Sequence, residues 1–180
     1  MRGYFAIGAE GISKAMNLGS LMRSAHAFGA SFLFTVAAAY PRGQGKSSDT
    51  SDAEGQVPLY AFPDVASLVL PRGCKLVGVE ISDQAIELPS FHHPRCAAYV
   101  FGPERGSLSE AMTARCDHLV RIPTQFSLNV GITGAIVMYD RLASLGRFAR
   151  RPERAGGPVE PLAEHVFGAP TFRRRSGRLP

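Results

Sequence analysis

The chain has no tryptophan and only three cysteines in 180 residues. Cys74, Cys96 and Cys116 are odd in number, far apart and free of any CxxC pairing. That excludes a disulfide framework and predicts reduced, mostly buried thiols in a cytoplasmic protein. Long apolar runs are also missing, and none approaches the roughly 20 residues needed to span a bilayer. The opening MRGYFAIGAEG is too short and too glycine-rich for a secretion signal, and reads as a first strand, Tyr4 to Gly8. Metal-ligand spacing on a helix is absent, so no metal is expected, and the His92-His93 pair reads as part of a surface loop. No GxGxxG follows the first strand. Gly8-Ala9-Glu10-Gly11 has the wrong spacing, which argues against a dinucleotide-binding enzyme.

What is present is an ordinary globular composition, 45% hydrophobic, of a length that fits one domain. The formal charge of +5 is carried by one end. From Arg141 onward nine arginines face only Glu153, Glu160 and Glu164, whereas the first 140 residues hold eleven basic and twelve acidic side chains. Residues 150–180 are rich in proline and glycine and lack periodicity. The expected organisation is a folded domain over 1–150 and a basic tail over 151–180. The cluster Arg173, Arg174, Arg175 and Arg178 fits an electrostatic footprint for nucleic acid. It fits a solvated tail equally well.

Apolar segments alternate in type along the chain. Strands are predicted at Tyr4–Gly8, Ser31–Ala37, Lys75–Glu80, Ala97–Phe101 and His118–Ile122. Helices are predicted at Asn17–Phe28, Asp64–Leu70, Leu108–Ala114 and from Asn129 to about Phe148, with a long polar loop over Tyr40–Val57. Such alternation implies an α/β fold with a mostly parallel sheet and helices on both faces. Ligands of such sheets bind at the carboxyl ends of the strands. Three of those ends hold Val79-Glu80, Phe101-Gly102 and Ile122-Pro123.

Three stretches carry the chemistry. In KAMNLGSLMRSAHAFG (14–29), Asn17 is placed to cap a helix, Arg23 lies a little under two turns on, and Gly29 is placed to end it. In YVFGPERGSLSE (99–110), a strand runs into Gly102-Pro103-Glu104-Arg105-Gly106, and Ser107 to Glu110 has the form of a capping box. Glycines at a strand end let a ligand approach the backbone closely. In IPTQFSLNVGITGAIVMY (122–139), a polar elbow leads into a slim apolar helix, with Ser127 where the helix is expected to begin.

In this order the stretches resemble the SpoU-type (TrmH-like) RNA ribose 2′-O-methyltransferases of the SPOUT superfamily. The matching positions are Asn17, Gly19, Arg23 and Gly29; Gly102, Glu104 and Gly106; and Ile122-Pro123 with Ser127-Leu128-Asn129-Val130. The resemblance covers roughly residues 4 to 145. It departs from the family pattern in one place, because only Thr124-Gln125-Phe126 separates Ile-Pro from Ser-Leu-Asn. The resemblance implies a C-terminal trefoil knot and S-adenosyl-L-methionine as cofactor. It also implies RNA as partner and a homodimer built on the first-motif helix and the last helix; the small size of the chain, with no separate RNA-recognition domain visible, favours tRNA over rRNA. The resemblance assigns catalysis to Arg23, Asn17, Glu104, Ser127 and Asn129. It places the cofactor against Val79, Glu80, Gly102, Ile122, Pro123, Ser127 and Leu128. Because guanidinium stays protonated, Arg23 is expected to stabilise negative charge rather than act as a base. The alternative is an RNA-binding protein of the same fold without methyl transfer.

Overall fold

The computed structural model describes residues 3–39, 56–149 and 151–158. Seven strands form one sheet: β1 (Phe5–Glu10), β2 (Phe32–Val36), β3 (Leu59–Phe62), β4 (Lys75–Val79), β5 (Ile86–Glu87), β6 (Ala97–Phe101) and β7 (His118–Arg121). Their order is β3-β2-β1-β6-β4-β7-β5, and every pairing is parallel. Among the described residues three α-helices cover it: α1 (Ala15–Phe28), α2 (Glu110–Arg115) and α3 (Val130–Leu145).

Two-residue periodicity divides the core. On one face Ile7, Leu33, Val77, Tyr99 and Val120 pack with Leu18, Leu21 and Met22 of α1 and Val137 and Met138 of α3. On the other, Ala6, Phe34, Leu76, Ala98 and Val100 pack with the loop residues Leu68 and Leu108 and with Met112 of α2. Burial on both faces is why the strands read as continuous apolar runs in the sequence. The α1–α3 contact is close because it is lined by glycine. A Cβ on Gly131 would stand 2.8 Å from the Ser20 Cβ, and one on Gly134 would stand 2.3 Å from Leu21 Cδ2.

Several boundaries differ from the sequence reading. Helix α1 begins at Ala15, with Lys14 at its N-cap, so Asn17 lies within the first turn and caps nothing. Gly29 ends α1 as expected, at φ 74°, its N–H donating to the carbonyls of Ala25 and His26. No helix forms over 64–70. Asp64 Oδ1 instead accepts from the Ser67 N–H and hydroxyl, a side-chain turn that competes with helix. The exposed edge strand β3, rich in aromatics but too short to show a period, went unpredicted. Helix α2 starts two residues later than the capping box implied, and Ser109 rather than Ser107 is the cap, accepting from the Met112 N–H. Helix α3 is capped by Asn129, not Ser127, and stops at Leu145.

His93 is not in a surface loop but is 1% exposed. Its Nδ1 lies 2.6 Å from the Tyr99 hydroxyl and its Nε2 2.8 Å from Asp140 Oδ2. Burial lowers its pKa, partly offset by Asp140. Arg141 of α3, also buried, donates to the Tyr99 hydroxyl and to the carbonyls of Pro94 and Arg95, holding the last helix to the start of β6. The three cysteines are free and only partly buried. No described helix is long and apolar enough to cross a membrane. The chain divides into two units, Met1–Gly146 and Arg147–Pro180. Most of the long polar loop (40–55) and the cluster Arg173, Arg174, Arg175 and Arg178 lie outside the described residues.

Candidate functional site

A cleft of about 400 Å³ opens at the carboxyl ends of β4, β6 and β7, a size suited to one small-molecule ligand. Val79, Ile81, Ile122 and Leu128 supply apolar wall. Lys14, Asn17, Glu80, Glu104, Arg121, Ser127, Asn129 and Thr133 supply polar groups. The strand ends that the parallel topology nominates therefore do meet in one place.

Carboxylates set the shape of the cleft. Glu104, in the loop after β6, accepts from the Ser13 N–H at 3.0 Å, the Ser13 hydroxyl at 2.9 Å, the Lys14 N–H at 3.0 Å and Asn17 Nδ2 at 2.9 Å. It thus ties this loop to the start of α1 and serves the N-terminus that Asn17 leaves uncapped. Burial pushes its pKa up, but these hydrogen bonds outweigh burial and bring it down to about 2. Glu80, at the end of β4, accepts from the Leu108 N–H at 2.8 Å and the Ile81 N–H at 2.9 Å. Glu10, at the end of β1, accepts from the Ser109 N–H and hydroxyl at 2.9 and 2.6 Å. Three acids on three segments thus fix the loop from Gly102 to Ser109.

Gly102 is required by that loop. A Cβ there would meet Leu108 N at 3.1 Å and the Ser107 carbonyl carbon at 3.2 Å. A side chain at this position therefore collides first with the loop's own backbone, not with a ligand. The short elbow after β7 is held by Thr124, whose hydroxyl donates to the Phe126 carbonyl at 2.9 Å. It leaves Phe126 exposed and Ser127 and Leu128 on the cleft wall.

The three motifs meet through side chains. Asn17 donates to Glu104 Oε1, Asn129 Nδ2 donates to Asn17 Oδ1 at 3.0 Å, and Asn129 Oδ1 accepts from the Gly131 N–H at 2.9 Å. The sequence profile of the SpoU rRNA Methylase family matches residues 4–139. The chain belongs to that family. Solved structures agree in fold. The SpoU methyltransferase AviRb from Streptomyces viridochromogenes, in complex with AdoMet, superposes with a TM-score of 0.70 at 21% identity over 79% of this chain. The chain spans 58% of AviRb's length. The A. aeolicus TrmH/SpoU tRNA modifying enzyme gives 0.65 at 18% identity, covering 80% of this chain and 76% of its own. A structure solved for insight into the 2-OH methylation of C/U34 on tRNA gives 0.70 at 21% identity, covering 81% of this chain and 98% of its own. No curated protein sequence matches the chain.

Of the SpoU motif residues singled out from sequence, Asn17, Glu104, Ser127 and Asn129 line the cleft, as do Val79, Glu80, Gly102, Ile122 and Leu128. Arg23 and Pro123 do not. Arg23 is exposed on α1, in the stripe Met16, Ser20, Arg23, Ala27 that faces away from the sheet. The sequence reading passed over Glu10, Lys14, Ile81, Arg121 and Thr133. Only Glu10 carried a signal, as an acid directly after an apolar strand. Arg121, on the cleft lining, pairs through Nη2 with Glu87 at 3.2 Å.

Proposed function

We propose that the chain is an S-adenosyl-L-methionine-dependent RNA methyltransferase acting on a ribose 2′-hydroxyl. The observation that carries this reading is the Glu104–Asn17–Asn129 hydrogen-bonded chain, which joins all three motifs at one cleft. The cleft fits the cofactor in size. It also offers apolar wall beside backbone groups at Gly102, Ile122 and Leu128, suited to an adenosine. Val79 and Glu80 would shape the same wall, with Ser127 at its mouth; Pro123, outside the cleft, would fix the elbow. Bound there, S-adenosylmethionine supplies an electrophilic methyl group on sulfur. The protein's own task is then to hold the ribose in line and to favour charge on its oxygen.

The reading extends to a C-terminal trefoil knot, a cytoplasmic location and a tRNA substrate. The tRNA preference is supported by the tRNA-methylation structure, whose length this chain covers almost whole. The eight arginines from Arg147 onward supply cationic charge for phosphates. A homodimer is part of the proposal. Ile132 and Tyr139 of α3 are 56% and 55% exposed and, with Met16 of α1 at 65%, leave the packed α1–α3 pair with an apolar outer face. Arg23 lies on that face, so it would serve a ribose bound to the second copy.

The test is transfer of labelled methyl groups to total RNA from cells lacking the enzyme, followed by alkaline hydrolysis. A 2′-O-methyl group blocks cleavage at its own linkage. Label recovered in alkali-stable dinucleotides is the expected result, and size separation names the RNA. Label in single nucleotides would mean base methylation and would overturn the ribose assignment.

A further inference from the structure

The elbow between β7 and α3 presents an aromatic ring to solvent and holds it there. Thr124 sets the shape. Its N–H donates to the Ile122 carbonyl at 2.8 Å and its hydroxyl to the Phe126 carbonyl at 2.9 Å. Only Gln125 lies between Thr124 and Phe126, so the backbone of Phe126 is drawn back over the elbow while its side chain stays 73% exposed. Thr124 and Ser127, on either side, line the cleft. A single exposed apolar side chain is ordinary on a protein surface. An aromatic ring braced at the rim of a ligand cleft is a different matter, because its backbone needs no further ordering to be used.

Lys14 is the second feature of the rim. Its N–H is held by Glu104, and its side chain lines the cleft. It is exposed, and among the described residues its ammonium has no carboxylate partner. Lys14 lies three residues before Asn17 and Phe126 three before Asn129, and the hydrogen bond between the two asparagines brings both approaches to one opening. A cation and an aromatic face therefore flank it. A phosphate beside a planar base complements both. Every base has a π-face, and an unpaired nucleotide can lay it on a ring.

We propose that Phe126 is a stacking platform for the base of an RNA nucleotide at the cleft mouth, with Lys14 on an adjoining phosphate. The inference rests on the function proposed above and deepens it by stating the form of RNA the site takes. Bases within a duplex stack on one another and show no free face, so the segment recognised is unpaired: a loop, a bulge or an end. Stacking tolerates any base, so Phe126 selects for an unpaired nucleotide and not for one of the four bases. The ring makes and breaks no bond. It is a specificity residue that holds the nucleotide at the rim.

The test uses the full-length chain. Because the chain has no tryptophan, Phe126→Trp places its only indole at the rim and keeps a ring for stacking. Its fluorescence is read during titration with random RNA hexamers, with sugar–phosphate hexamers that lack bases, and with S-adenosylhomocysteine. Strong quenching by RNA, and little by the other two, is the expected result. No quenching by RNA overturns the platform. Quenching by S-adenosylhomocysteine alone would make the ring a cover for the cofactor, and emission that shifts on dilution of the protein but not with RNA would put it in a contact between copies; either overturns the proposal. In the otherwise native chain, Phe126→Ala should weaken hexamer binding about 10-fold and leave the baseless oligomer unaffected, and Phe126→Tyr should bind as the wild type does. Lys14→Gln should weaken both oligomers alike, since both carry the phosphate. Equal losses for the two oligomers in Phe126→Ala overturn the base contact. No methyl transfer by the wild-type chain would count against the enzyme reading, whereas the quenching is read without a methyl donor and decides the platform by itself.

Discussion

One carboxylate, Glu104, binds together groups 91 residues apart in the chain, Ser13 and itself. With a pKa of about 2 it stays ionised through the working range, so it cannot be the proton carrier of the reaction. The depressed pKa has a fixed sign of consequence. The stabilisation is complete above the ordinary value of 4.5 and is lost as pH falls from there through about 2. Thermal melts of the wild type and Glu104→Gln should therefore differ most above pH 4.5 and converge toward pH 2. A gap that is constant with pH would mean that the carboxylate's charge contributes nothing. At neutral pH, Glu104→Gln should also lower kcat with little change in KM for RNA, because a glutamine amide can donate and frees Asn17 to turn.

Among the elements, α1 and α3 decide the geometry of the cleft, since Asn17 of α1 and Asn129 at the cap of α3 are joined by a hydrogen bond. Their spacing is set at Gly131, where a Cβ would stand 2.8 Å from the Ser20 Cβ. Gly131→Ala improves helix propensity by about 1 kcal/mol but drives a Cβ into a Cβ that moves only with its backbone. Overpacking of this kind costs about 1–3 kcal/mol, so a net loss of melting temperature and of methyl transfer is expected. Ser20→Gly in the same chain removes the obstruction and should restore both; failure to restore would place the fault in α3 alone. The strands at this scale were legible because burial on both faces leaves runs such as AAYVF unbroken. The helix starts were not. Asn17 and Ser127 have the right chemistry for caps, yet their side chains stand in a cleft assembled from distant segments. Glu104 holds the residues leading into α1, Ser13 and Lys14, from another loop, which no local spacing records. His93 was misread for the same reason, since its partners Tyr99 and Asp140 come from β6 and α3.

At the scale of the molecule, the placement of Arg23 outside its own cleft makes the second copy part of the argument. If Arg23 serves the other copy's ribose, an Arg23→Ala chain and an Asn129→Asp chain, each inactive as a homodimer, should regain transfer when mixed and allowed to exchange. The mixed dimer then holds one cleft with Asn129 in place and a neighbouring Arg23. No recovery in a demonstrated mixed dimer would return Arg23 to its own cleft or to the surface. The strand order has a separate consequence, for the time course of synthesis. Strand β1 pairs with β6, Phe5 opposite Ala97, so the middle of the sheet is filled by a segment that leaves the ribosome long after β1 and β2. Until then the nascent chain holds a three-stranded β1–β2–β3 ribbon with one long bare edge. Asn129 and α3 emerge later still, so the Asn17–Asn129 hydrogen bond forms only after β6 has been made. Pairings so distant in sequence form slowly and leave apolar edges open to wrong partners meanwhile. The growing chain is thus exposed to aggregation until β6 has been made, and a nascent-chain chaperone has the most to protect between the appearance of β3 and that of β6.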